Sequence, residues 1–141
     1  MSQVMTWPAT STGHYVIDVV IGGIAVKAMI DSGLVDPAQL VGFELAPGHF
    51  DRLHQAGLLK DVSTRTRRDA GGGKSLMRVG MASTSLTLPN TSTPVGPSVD
   101  VFVARSPAGL PTRVGLAFFH KLNGCQVHWD CSARTWSMLM R

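Results

Sequence analysis

The sequence predicts a mainly β domain with one or two short helices. Its 141 residues include 15 Gly and 8 Pro, a content that favours short strands and turns over long helices. Tyr15, Ile17, Val19 and Ile21 recur at every second position, as in a half-buried strand, and Gly22-Gly23 is typical of a two-residue hairpin turn. Apolar residues make up 44% of the chain, which indicates a globular protein, and the length suggests one domain over residues 1–141.

The first half of the chain is organised around a hairpin. A polar arm, residues 1–13, contains Trp7, which needs a surface to pack against. Strand 14–21 and return strand 24–30 follow. Prolines interrupt the next segment, which leaves room for a short strand at 42–45 and a short helix at 48–56 with Gly57 as its C-terminal stop.

The second half continues with short elements. Residues 62–81 are expected to form two strands joined by the tip Gly71-Gly72-Gly73. The remaining expected elements are, in order, strand 82–89, loop 90–98, strand 99–104, loop 105–112, helix 117–123 capped by Gly124, strand 125–130 and strand 135–140.

Strand 24–30 runs directly into Asp31-Ser32-Gly33. A buried strand disfavours a carboxylate unless that group is hydrogen-bonded or functional, so Asp31 is a candidate catalytic residue at a strand end. The same three residues also suit an ordinary turn, in which Asp starts the turn and Gly supplies the unusual dihedral angles.

The order of these parts resembles the retropepsin-like aspartic proteases, and most closely their bacterial stand-alone members. The matching pieces are the hairpin leading to Ile30-Asp31-Ser32-Gly33, the glycine tip 71–73, Val114-Gly115 before a short helix, and two final strands. The sequence departs from the family pattern at Leu34, where viral members have Ala, at Arg113, where an apolar residue is usual, and in the longer segment 34–48.

The resemblance implies a retropepsin-like closed β-barrel or sandwich that hydrolyses peptide bonds as an aspartic endopeptidase. Such chemistry needs two carboxylates that share a proton, and the chain carries one Asp-Ser-Gly, so the second would be Asp31 of another copy in a homodimer. By the same resemblance Ser32, Gly33 and Gly115 would support the site. Residues 62–81 would form a flap, and the substrate-binding residues would be Leu34, Gly71, Gly72 and Gly73.

The resemblance also implies that the N-terminal arm and residues 135–141 interleave between two copies as dimer strands. The alternative is that these strands pair within one chain. A second alternative concerns function: the chain could be a catalytically inactive peptide-binding or dimerisation module on the same fold.

Other functional classes have weak support in the sequence. The net charge of +4 is mild, and the basic stretch Lys60–Arg78 has no aromatic residue for base stacking, so a nucleic-acid partner is not expected. Two cysteines and the spacing of His49 and His54 indicate no metal site, and no cofactor is expected. The sequence has no signal-peptide pattern near Met1 and no long apolar span, so a cytoplasmic protein without a membrane segment is expected.

Overall fold

In the computed structural model, which describes residues 3–11, 13–31, 41–68, 71–107, 109–122 and 125–140, the chain is mainly β with two short helices, as the sequence predicts. The elements are β1 (Gln3–Pro8), β2 (Val16–Ile21), β3 (Ile24–Ile30), β4 (Val41–Leu45), α1 (Pro47–Gln55), β5 (Lys60–Arg68), β6 (Lys74–Thr87), β7 (Pro94–Arg105), β8 (Arg113–Val114), α2 (Leu116–Lys121), β9 (Gln126–Asp130) and β10 (Thr135–Met140).

The larger of two sheets closes on itself. Its strand order is β2-β3-β8-β4-β7-β6-β5, and β2 also pairs with β6 through Val19–Leu86, Val20–Ser85 and Ile21–Thr84. Six strands therefore form a closed ring, with β5 attached outside it as the partner of β6. Gly22 and Gly23 join β2 to β3 with φ angles of 60° and 86°, which is the left-handed turn that the Gly-Gly pair predicts.

The smaller sheet has the order β1-β10-β9. β1 lies antiparallel to β10 of the same chain, with Trp7 opposite Trp136 and Met5 opposite Met138. The two terminal strands thus pair within this single chain, and their expected exchange between two copies stays a prediction. Because β9 occupies the other side of β10, the C-terminal strand is the centre of this sheet.

Aromatic side chains join the small sheet to the barrel. The Trp136 ring lies 5.7 Å from Trp7 and 5.5 Å from Phe119 of α2, between ring centroids, and Trp7 and Trp136 are both buried. Trp7 thus packs against β10, the C-terminal strand of the same chain. Burial of two such large rings removes a large apolar area from water, which stabilises this layer.

The helices lie close to their predicted positions. α1 begins at Pro47, the position where proline is best tolerated, buries Phe50 and Leu53, and ends before Gly57, whose φ is 70°. α2 begins one residue earlier than expected and ends at Lys121, while its expected cap Gly124 lies outside the described residues. No helix in the described ranges is long and apolar enough to cross a membrane.

One predicted loop is in part a strand. β7 begins at Pro94, so residues 94–98 belong to the sheet and not to a loop over 90–98. Val95 is buried opposite Leu86, and the pairing shifts register between Thr84 and Leu86. Such an irregularity lets a strand include residues that normally break one, here Pro97 and Gly96 with a φ of 71°.

Candidate active site at the end of strand β3

Asp31 follows β3 directly, and its backbone is fixed by neighbouring chain. Its N–H donates to the carbonyl of Val114 at 3.0 Å, and the N–H of Met29 donates to the carbonyl of Thr112 at 2.9 Å. On the other side, the N–H of Ile30 donates to the carbonyl of Tyr15 at 2.8 Å. The side chain of Asp31 is 32% exposed, so the carboxylate is held at a defined point and still reaches the surface.

The two-residue strand β8 lies between β3 and β4 and leads into α2. It is parallel to β3 and antiparallel to β4, and the N–H of Gly115 donates to the carbonyl of Gly42 at 2.9 Å. Just beyond, Phe118 packs on Phe43 with ring centroids 4.8 Å apart. The structure therefore places Gly115 next to the backbone partner of Asp31, at the start of a helix whose buried ring anchors it in the barrel.

A charged pair lies beside Asp31. Arg113 donates from Nη1 to Oδ2 of Asp31 at 3.3 Å, and its Nη2 forms an ion pair with Oε2 of Glu44. Glu44 is the register partner of Arg113 across β4 and β8, so the two side chains leave their strands at the same level. The exposed fraction of the side chain is 32% for Asp31, 14% for Arg113 and 2% for Glu44, so Glu44 is the most deeply buried of the three.

Glu44 has no place among the sequence-predicted site residues. The signal that could have identified it is a single charged residue in the short strand Val41–Leu45, all of whose residues are buried. A buried carboxylate needs a cation nearby, and Arg113 already departs from the apolar residue expected at its position. A charged residue in a buried strand and an arginine at an apolar position, considered together, indicate an ion pair between Glu44 and Arg113.

The structure describes only some of the other predicted site residues. Ser32, Gly33 and Leu34 lie outside the described residues. Gly71, Gly72 and Gly73 are exposed at the end of the antiparallel hairpin β5–β6, and Gly72 has a φ of 84°. Leu76 on the same hairpin is 77% exposed, which is high for a leucine.

Two histidines and one arginine outside this site have structural contacts. Nε2 of His49 lies 3.4 Å from the carbonyl oxygen of Ile21, and burial lowers the pKa of His49. The ring of His54 lies 6.3 Å from that of Phe50. The guanidinium of Arg65 lies 5.0 Å from the centre of the Phe102 ring. Within the described ranges, no three His, Cys, Asp or Glu side chains come together as a metal site would require.

Comparison with known proteins bears on the fold. No family model matches the sequence, and no curated protein matches it. Among solved structures, the chain is similar to the crystal structure of a retropepsin-like aspartic protease from Rickettsia conorii, with a TM-score of 0.68 and 15% identity. The match covers 99% of this chain and 92% of that one. At such low identity the likeness shows the fold alone, and the fold of this chain is therefore retropepsin-like.

Proposed function

We propose that the chain is an aspartic endopeptidase in which Asp31 from each of two copies forms the catalytic pair. The observation that carries the proposal is the position of Asp31: a partly exposed carboxylate at the end of a core strand, with its backbone tied to Val114 beside Gly115. The overall likeness to a retropepsin-like aspartic protease supports the same reading.

The chemistry requires two carboxylates in different protonation states. One accepts a proton from a water molecule that attacks the peptide carbonyl, while the other donates a proton to the carbonyl oxygen. Two carboxylates in close contact cannot both be ionised without a large electrostatic cost, so they share one proton and divide these roles. Because Asp-Ser-Gly occurs once in the chain, a two-fold axis beside Asp31 would supply the second carboxylate. In this arrangement Ser32 would hydrogen-bond beneath the pair and Gly33 would permit close backbone approach.

The hairpin β5–β6 would cover the substrate. Its tip, Gly71 to Gly73, is exposed and carries no side chains that would prevent close approach to an extended peptide. Closure of such a hairpin would exclude water and hold the peptide main chain, and Leu34 and the apolar Leu76 would contribute to side-chain pockets.

Dimer contacts would involve the small sheet. Since β10 already has β1 and β9 as neighbours, a second copy would add to the outer edge of β1 or of β9 and not insert beside β10. Both outer edges lack a strand partner among the described residues, and such edges favour further strand pairing. Val4, which is 65% exposed on β1, and Trp129, which is 49% exposed on β9, offer apolar surface there.

A second candidate function is a catalytically inactive module that binds peptides or dimerises. The contact that favours it is the hydrogen bond from Arg113 to Asp31, because a guanidinium at 3.3 Å engages the carboxylate oxygen that a second Asp31 would otherwise approach.

The deciding experiment combines sedimentation with cleavage of a peptide library between about pH 3.5 and 7, the range in which a carboxylate pair titrates. The variant Asp31→Asn removes the charge without changing the shape, and Asp130→Asn changes an exposed carboxylate elsewhere. We expect a dimer whose cleavage is lost in Asp31→Asn and retained in Asp130→Asn. A dimer without cleavage at any pH would support the inactive module, and a strict monomer would exclude the shared site.

A further inference from the structure

The ion pair between Glu44 and Arg113 is costly to bury and lies beside the candidate catalytic carboxylate. Glu44 is 2% exposed and Arg113 14%, so both have lost most of their hydration. A buried ion pair stabilises a fold weakly, if at all, because desolvation offsets the attraction. Stability alone therefore does not explain this ion pair, and its position beside Asp31 indicates a role at the candidate active site.

The strand arrangement fixes Arg113 more firmly than an ordinary surface arginine. Its backbone pairs with Met29 of β3 on one side and Glu44 of β4 on the other. Its planar guanidinium is then held at Nη2 by the Glu44 carboxylate, which leaves Nη1 directed at Oδ2 of Asp31. A guanidinium held at one end presents its other N–H groups in a fixed direction, since the group is rigid.

We propose that Arg113 is a positioning residue that orients the carboxylate of Asp31, and that Glu44 both holds Arg113 and balances its charge. This inference rests on the proposed function. An unbalanced arginine in each subunit would favour ionisation of both Asp31 carboxylates and so oppose the sharing of one proton. A buried Glu44 in each subunit offsets that charge, which allows Arg113 to orient Asp31 while the pair still holds its proton.

The charges on the surrounding elements are consistent with this assignment. Arg113 is the charged residue of β8, and Glu44 that of β4. On β3 the charged residue is Lys27, whose Nζ lies 2.8 Å from Asp18. On α2, Lys121 donates to the backbone carbonyl of Asp100 at 2.9 Å, and His120 is exposed. Of these charged groups, Arg113 contacts Asp31, and Glu44 contacts Arg113.

The test is the titration of the Asp31 carboxyl, followed by carbon NMR of protein labelled at aspartate, with the Asp31 signal assigned from Asp31→Asn. In Glu44→Gln the charge of Arg113 is unbalanced, so we expect the titration of the Asp31 carboxyl to move to lower pH than in the unmodified chain. In the double variant Glu44→Gln/Arg113→Met both charges are gone and the orienting donor is lost, so we expect the midpoint to rise above that of the unmodified chain. Asp51→Asn, in an exposed ion pair with Arg105, is the matched control and should leave the midpoint unchanged.

Enzymatic readouts separate positioning from a purely structural role. If cleavage occurs, the acidic limb of the pH profile of kcat should move down with the midpoint in Glu44→Gln, and Arg113→Lys should lower kcat about tenfold with little change in KM. Equal Asp31 midpoints in all variants that fold, or an unchanged pH profile, would overturn the proposal.

One measurement needs no substitution in the buried pair. In the unmodified chain the Nε signal of Arg113 should shift with the same midpoint as the Asp31 carboxyl, and this shift should vanish in Asp31→Asn. Its absence would refute the proposal even if every variant of Glu44 or Arg113 failed to fold. A different result would exclude the proposed function. If Asp31 titrates in one step instead of two and no cleavage occurs, the shared pair is excluded, while the contact between Arg113 and Asp31 can still be tested.

Discussion

The indole Nε1 of Trp7 donates a hydrogen bond to Oδ2 of Asp18 at 3.2 Å, across the boundary between the small sheet and the barrel. The same carboxylate accepts a hydrogen bond from Nζ of Lys27 at 2.8 Å and one from the backbone N–H of Asn90 at 2.9 Å. Asp18 is 6% exposed. One buried carboxylate therefore ties the N-terminal strand, the β2–β3 hairpin and the turn before β7 together.

Replacing Asp18 should destabilise the protein strongly. Asp18→Ala leaves the Trp7 indole and the Asn90 amide without their acceptor and removes the charge that Lys27 faces, so we expect a loss of roughly 2 to 4 kcal/mol in the free energy of unfolding. Trp7→Phe keeps the ring and loses one donor, and should lose about 1 kcal/mol. Urea denaturation measures both. The exposed Asp100→Asn is the control, and an equal loss in Asp100→Asn and Asp18→Ala would contradict the assigned role.

The turn between β2 and β3 allows a matched test of backbone strain and of packing. Gly22 and Gly23 both have positive φ, so alanine is strained at either position. A Cβ at Gly22 would also lie 2.5 Å from Cδ2 of the buried Leu53, whereas a Cβ at Gly23 meets no atom within 4 Å. We expect Gly22→Ala to lose about 1 kcal/mol more than Gly23→Ala in chemical denaturation. Equal losses would mean that Leu53 moves aside freely.

The pH dependence of stability should include a contribution from His49. Burial lowers its pKa in the folded state, and the contact with the Ile21 carbonyl opposes this only in part. As the pH falls below about 6.5, the unfolded chain binds a proton at this site before the folded chain does, so stability decreases until the folded pKa is passed. The denaturation midpoint should therefore fall less between about pH 7 and pH 5 in His49→Gln than in the unmodified chain. The exposed His128→Gln should leave that fall unchanged, and an identical effect of both variants would contradict the prediction.

The two cysteines should differ in reactivity. Cys131 is exposed, while Cys125 is partly buried, and burial raises the pKa of the Cys125 thiol. Because the thiolate is the reactive form, a thiol reagent should label Cys131 several-fold faster than Cys125 at about pH 8. The single variants Cys125→Ser and Cys131→Ser assign the two rates. A faster rate at Cys125 would show that its burial is transient.

If the hairpin β5–β6 covers a bound peptide, as the proposed function requires, Leu76 should contribute to binding and not to stability. It is 77% exposed, so Leu76→Ser should leave the free energy of unfolding within about 0.5 kcal/mol of the unmodified value. Cleavage assays should show a KM raised several-fold, because apolar contact with the peptide is lost. Leu110→Ser, at an exposed leucine outside the hairpin, is the matched control, and equal KM values for the two variants would exclude Leu76 from the binding surface.

Much of the architecture was predictable because it is encoded locally. The alternation before Gly22-Gly23, the prolines around the short strand β4 and the glycine after α1 each determine backbone conformation within a few residues. These signals identified the hairpin that delivers Asp31, the short strand β4 and the helix α1. The start of β7 at Pro94 was not predictable in this way, because a pairing irregularity in the neighbouring strand accommodates Pro97 and Gly96.

The sequence by itself determined the order of strands and turns and the position of one carboxylate at a strand end, because these depend on hydrophobic period and turn chemistry. Only the tertiary structure decided which strands that are distant in sequence lie side by side. It closed the barrel through β2 and β6 and paired β1 with β10 of the same chain. It also brought Arg113 into contact with Glu44, 69 residues earlier in the sequence, and with Asp31, 82 residues earlier. Such contacts join residues far apart in the chain. The strand pairings satisfy backbone hydrogen-bonding groups of distant segments, and the buried charges of Glu44 and Arg113 can pair only when their strands are in place.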